Sequence, residues 1–155
     1  MESTARLIPV AAELYADSSF LVSLYRKDEN QEAAKSFINR TRLVVSMSPL
    51  NRIELRNALR NAQSFGQISA EERRAAFRQI QNDFDAGLLV HLPVEWTNVF
   101  RRADEISERC GARAGQRTID LLHVATALEC EARTFLSFDN RQRRLAQAAG
   151  LKVKP

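Results

Sequence analysis

The sequence predicts a single α/β domain, a mostly parallel five-stranded sheet with helices on both faces, and three observations carry that expectation. Short β-prone runs alternate with long helical patterns along the chain. No repeat, linker or low-complexity segment interrupts them. At 155 residues the chain is long enough for one compact core and too short for two ordinary ones. Strands separated by helices of this length require right-handed crossovers, which place helices over both sheet faces.

The elements follow in order. Leu14, Tyr15 and Ala16 form the first expected strand, and the apolar residues Phe20, Leu21, Val22, Leu24 and Tyr25 suit a buried helix over 18–25. A surface helix is expected over 28–40 and a β-branched strand over 43–47. Ser48 and Pro49 then supply an N-cap and a first helical residue for a helix running to about Phe65. Ser69 and Glu72 form a capping-box pattern that opens a helix to about Ala86, with Gly87 as its stop. A third strand is expected over 88–92 and a helix over 95–110 with Gly111 behind it. The segment 119–131 is apolar almost all round, which suits a central helix. A strand over 134–138, a helix over 140–149 ended by Gly150, and a short strand over 151–153 complete the pattern.

Composition narrows the class. With 45% hydrophobic and 27% charged residues, 5 Gly and 4 Pro, the chain has neither disordered nor fibrous bias. The two cysteines, Cys110 and Cys130, match no metal-ligand spacing and read as reduced thiols. The apolar run at 7–12 contains Pro9 and is too short for a secretory segment, and no 18-residue apolar stretch follows, so a cytoplasmic protein without a membrane span is expected. Residues 1–100 hold 12 basic and 12 acidic side chains and residues 101–155 hold 11 and 7, so the net charge of +4 comes from the C-terminal part. That excess is compatible with a polyanionic partner and does not by itself require one.

Four carboxylates stand out. Asp17 and Asp139 each follow a strand and precede a helix. Both suit an N-cap, and both lie where an open parallel sheet binds ligands, just past the strand ends. Asp120 falls in the first turn of the apolar helix, where the helix dipole favours negative charge and where capping is the plainer role. Glu54 is explained least well by such roles. At about 100° per residue it falls among Leu50, Ala58 and Phe65 within the apolar arc of its helix, while Arg52, Arg56 and Arg60 fall on the opposite side. An unpaired carboxylate in such a place needs a cation within the fold, either a metal ion or a buried basic partner, unless it reaches the rim.

Four acids without a Cys or His cluster favour a hard, oxygen-loving ion, Mg2+ or Mn2+, over zinc. His91 and His123 are far apart in sequence and read as surface or helix-packing residues. Arg52, Arg56, Arg60, Arg141, Arg143 and Arg144 are candidates for contact with a nucleic-acid backbone, with solvated helix faces as the alternative for each.

The segments YADSSFLVSLY (15–25), SPLNRIELRNAL (48–59), RTIDLLHVATAL (117–128) and TFLSFD (134–139) together resemble PIN-domain ribonucleases, most of all VapC-type toxins of bacterial toxin-antitoxin systems. The resemblance covers the chain from about residue 14 onward. It implies a three-layer PIN-like domain, and a pocket whose catalytic and metal-binding acids are Asp17, Glu54, Asp120 and Asp139. It also implies Mg2+- or Mn2+-dependent endonucleolytic cleavage of RNA, a homodimer, and inhibition by a small cognate antitoxin. Ser18, Ser19, Ser137 and Asn140 flank those acids. Two features depart from the family pattern: an N-terminal extension of residues 1–12, and Asn140 after Asp139 with no further acid close behind, which leaves the number of metal ions open.

Rival readings remain at this level. A PIN nuclease of RNA processing or DNA repair shares every motif; a degenerate PIN scaffold acting through protein contacts alone is a further alternative, against which all four acids are present. A receiver-like magnesium-binding module would need an adjacent acidic pair near the first strand and a lysine after the last, whereas here Glu13 precedes the first strand and Asn140 follows Asp139.

Overall fold

The computed structural model describes residues 13–110 and 115–155; the expected N-terminal extension and the Gly111 helix stop lie outside them. Five strands, β1 (Leu14–Ala16), β2 (Val45–Met47), β3 (Leu89–His91), β4 (Thr134–Leu136) and β5 (Lys152–Lys154), form one sheet in the order β3-β2-β1-β4-β5. Every pairing is parallel. The strand order reverses at β1, which is flanked by β2 on one side and β4 on the other, so the sheet has a switch point at the C-terminal ends of β1 and β4.

The helices are α1 (Ser18–Tyr25), α2 (Gln31–Thr41), α3 (Pro49–Ser64), α4 (Ala70–Asp85), α5 (Trp96–Cys110), α6 (Thr118–Glu129) and α7 (Asn140–Ala148). Side-chain alternation along the strands divides the interior into two cores. Leu14 and Ala16 of β1 pack with Phe20, Leu21, Leu55, Leu59 and Ile80 from α1, α3 and α4. Tyr15, between them in sequence, packs with Val99, Ile106, Val124, Phe135 and Leu145 on the other side of the sheet. The result is the expected three-layer arrangement.

Several boundaries differ from expectation for local reasons. The second helix starts at Gln31 rather than at 28 because Asp28 closes a turn, accepting from Asn30 N at 2.9 Å and from Ser23 Oγ at 2.8 Å. The sixth helix begins at Thr118 and ends at Glu129, two residues before Glu131, which takes a left-handed φ of 54° that no helix continues. The last strand sits one residue later than expected, in register with β4 through Lys152 opposite Thr134. The capping box expected at Ser69 is present, and Ser48, expected as an N-cap, forms one as well with Asn51 as its partner. Gly87 ends α4 with a φ of 75°, the left-handed turn for which its lack of a Cβ suits it.

Both cysteines are free, and burial pushes the Cys130 thiol up to about 11. Among the described residues no helix is long and apolar enough to cross a membrane.

Candidate active site

The geometry begins at the tip of β1. Asp17 N donates to Leu136 O at 2.9 Å, which keeps Asp17 level with Ser137 at the end of β4. Asp17 caps α1 as its position suggests: Oδ1 accepts from Phe20 N at 3.0 Å and from Ser19 Oγ at 2.6 Å. Its other oxygen accepts from Ser137 Oγ at 2.5 Å. Each of these donors is neutral, and the side chain is buried. Burial pushes the Asp17 carboxyl above its ordinary range, against the pull of those hydrogen bonds and of the nearby His123.

Asp139 stands beside it. Asp139 N donates to Ser137 Oγ at 3.1 Å, so one serine hydroxyl touches both aspartates. Oδ1 of Asp139 caps α7 through Arg141 N and Gln142 N. Phe138, stacked on Phe20 with ring centroids 5.4 Å apart, fixes the turn between β4 and this cap.

Glu54 occupies the margin of the buried face of α3, not its middle. The buried residues there are Asn51, Leu55, Leu59 and Ala62, whereas Phe65 is 76% exposed and the Glu54 side chain 27% exposed. Its partner is a residue that sequence reasoning set aside. Nε2 of His123 hydrogen-bonds the Glu54 carboxylate, and Ser18 Oγ donates to the same oxygen at 2.5 Å. Burial alone would push the Glu54 carboxyl up. The hydrogen bond and charge of His123, with smaller help from Ser18 and Arg117, outweigh it and hold Glu54 below the ordinary carboxylate range.

His123 is buried, and behind it Nδ1 lies 2.8 Å from the Tyr15 hydroxyl, which is 3.3 Å from Ser48 Oγ. Ser48 Oγ donates to Asn51 Oδ1 at 2.9 Å, so its proton is committed there and it can only accept from Tyr15. Asn51 Nδ2 in turn donates to Ala16 O at 2.8 Å, tying the start of α3 to the end of β1.

Asp120 is buried on α6 and does not cap it. Its carboxylate takes a two-pronged contact from Arg117, Nε to Oδ2 and Nη2 to Oδ1, each at 3.1 Å. The same Nη2 is 3.7 Å from Asp139 Oδ2. Gln142 Nε2 donates to Asp120 O at 3.1 Å, fastening α7 to α6. The Asp120-to-His123 spacing puts both residues on one face of α6, a signal that the sequence carried in a helix otherwise apolar there.

Asp17, Asp139 and Asp120 are therefore linked at one end of the sheet through Ser137 and Arg117, and Glu54 adjoins them through Ser18, the residue after Asp17, and through His123, three residues after Asp120. They do not meet directly: among the described residues no three His, Cys, Asp or Glu side chains stand close enough together to hold one ion. The donor chemistry nonetheless fits a hard divalent cation, with carboxylate and hydroxyl oxygens and, at Asp17, a buried carboxylate bonded only to neutral donors. A shallow cavity of about 420 Å³ opens beside them, lined by Ser18, Ser19, Phe138 and Asp139 among others. A larger cavity of about 820 Å³ lies between α1, α2 and α4 and touches none of the four acids.

Of the arginines considered for backbone contact, Arg143 Nη1 donates to Ser137 O at 2.7 Å and so braces the site. Arg56 and Arg60, with Arg73 of α4, surround the Phe77 ring at 4.7, 5.5 and 5.3 Å from its centroid.

Comparison with solved structures returns the same fold. VapC20 from Mycobacterium tuberculosis, a sarcin-ricin loop cleaving toxin, is 19% identical with a TM-score of 0.66, covering 92% of this chain and 100% of that one. FitAcB from Neisseria gonorrhoeae is 15% identical with a TM-score of 0.63, covering 92% and 96%. PAE2754 from Pyrobaculum aerophilum is 17% identical with a TM-score of 0.59, covering 94% and 91%. No curated protein matches the chain. Residues 14–148 match the family model of the PIN domain, a family of nucleases, and the chain belongs to that family.

Proposed function

We propose that the chain is a Mg2+- or Mn2+-dependent endoribonuclease and the toxin of a toxin-antitoxin pair. The observation that carries this reading is the gathering of Asp17, Glu54, Asp120 and Asp139 at the switch point of a PIN-type sheet. The similarity to VapC20, a toxin that cleaves the sarcin-ricin loop, supports RNA as the substrate class. The antitoxin and the homodimer rest on the resemblance to VapC-type toxins.

In this reading Asp17 and Asp139 are direct metal ligands, and Glu54 and Asp120 are ligands or acceptors for coordinated water. A bound divalent ion supplies positive charge against the scissile phosphate and makes water a stronger acid. The chain's own residues do the positioning. Ser137 sets the spacing of the two aspartates, Ser18 and His123 hold Glu54 ionised, and Phe138 on Phe20 fixes the approach to Asp139.

The test is cleavage of a single-stranded RNA by the purified protein with Mg2+ or Mn2+ and with chelator. Cleavage is expected only with metal, and Asp17→Asn and Asp139→Asn are expected to remain folded and inactive. An Asp17→Asn protein that cut at the full rate would sink the proposal. Co-purification with the product of a small adjacent gene tests the antitoxin, and light scattering tests the dimer.

A further inference from the structure

Arg117 is the residue that keeps two of the acids occupied. Its guanidinium grips both oxygens of Asp120 at 3.1 Å and reaches to 3.7 Å from Asp139, so one cation spans carboxylates contributed by α6 and by the turn after β4. The Asp120 side chain is 9% exposed, whereas that of Arg117 is 55% exposed. The guanidinium thus enters from solvent and has an open way back out, so moving it breaks a contact that is already half hydrated. The backbone is held separately: Arg117 O accepts from Asp120 N at 3.0 Å and from Leu121 N at 3.2 Å, so the start of α6 does not depend on where the side chain lies.

Building on the metal-dependent reading above, we propose that Arg117 is an internal counter-cation, bridging Asp120 and Asp139, that a divalent ion displaces. Each Asp120 oxygen accepts one prong of the fork, so an ion at either oxygen has to share it with the guanidinium at close range. An arginine left in place would set a third positive charge against a doubly charged ion. The site therefore binds metal more weakly than its four acids alone would, and the single charge of Arg117 partly offsets Asp120 and Asp139 when metal is scarce. Arg117 acts here as a positioning residue.

The experiment measures Mn2+ binding to the full chain by calorimetry or electron paramagnetic resonance, for wild type, Arg117→Gln, Arg117→Met and Arg117→Lys. The two neutral variants are expected to bind Mn2+ about tenfold more tightly, the size of one coupling between two sites, with the lysine variant between them and wild type. Thermal melts without metal are expected to move the opposite way, with the neutral variants less stable. Loss of an arginine that only supports the fold would lower stability and metal affinity together. Equal or weaker Mn2+ binding by Arg117→Gln overturns the proposal and leaves the metal-dependent reading standing. No binding by wild type or any variant overturns both. Should the neutral variants fail to fold, the Arg117 side-chain Nε–H resonance of wild type decides: a shift on adding Mg2+ is expected, and an unmoved resonance overturns the proposal.

Discussion

His123 and Glu54, 69 residues apart in sequence, are hydrogen-bonded to each other, so α6 on one face of the sheet clamps α3 on the other. Truncation by His123→Ala leaves Glu54 with Ser18 alone and strips the buried Tyr15 hydroxyl of one partner. A loss of about 2 kcal/mol in urea-measured stability is expected, with slower RNA cleavage. Tyr15→Phe keeps the ring stacked on Phe135 and removes only the hydroxyl, so a smaller loss, about 1 kcal/mol, is expected.

Opposite signs are expected for the pH behaviour of Glu54 and Asp17. The folded-state value of Glu54 lies below its ordinary value, so its contribution to stability is complete above about pH 4.5 and drains away as pH falls through the lower folded value. Glu54→Gln should flatten the acid limb of the stability curve. A variant whose acid limb matched that of wild type would contradict the assignment.

Asp17, whose folded value is raised, is least costly below its ordinary value and destabilises increasingly as pH rises through the folded one. Without metal, Asp17→Asn should therefore melt higher than wild type at neutral pH, by a few degrees. Added Mg2+ should raise the melting temperature of wild type and leave that of the variant nearly unchanged.

Asn51 caps α3 through Ser48 and holds the Ala16 carbonyl at the end of β1. Asn51→Ala should cost about 2–3 kcal/mol, since it removes a cap and leaves buried main-chain groups unpaired. Denaturant titration checks it, and an effect below about 0.5 kcal/mol would contradict this role.

Arg56, Arg60 and Arg73 crowd one aromatic ring, and none of them has an ion-pair partner among the described residues. If this cluster meets the RNA backbone, Arg56→Gln combined with Arg60→Gln should weaken RNA binding and reduce the slope of log K against log salt by about 1 to 2. An unchanged slope would assign the cluster to the fold alone.

Most of this architecture is legible in the sequence because local chemistry punctuates it: Ser48 with Pro49, Ser69 with Glu72, and Gly87 mark helix ends wherever the chain is placed. The capping roles foreseen for Asp17 and Asp139 are real, yet they engage chiefly one oxygen of each. The other turns to Ser137 or toward Arg117, partners set by how β4 and α6 meet the end of β1. Glu54 announces its need for a partner through its place on α3, but the identity of that partner does not follow from α3. His123 looks like packing in an apolar helix until Tyr15, 108 residues away, is set behind its ring. Arg117 was within reach of a three-residue spacing rule applied to Asp120, whereas its approach to Asp139 depends on how α6 meets the end of β4.

The central strand also bears on how the protein is made. β1 pairs on one side with β2 and on the other with β4, and the clamp on Glu54 comes from residue 123. Domains generally take shape as units while synthesis proceeds from the N-terminus. A nascent chain holding Asp17 and Glu54 has neither the imidazole that steadies the glutamate nor the strand that brings Asp139 alongside. The cluster can close only after residue 139 has been translated, well after Asp17 and Glu54 have joined the nascent chain.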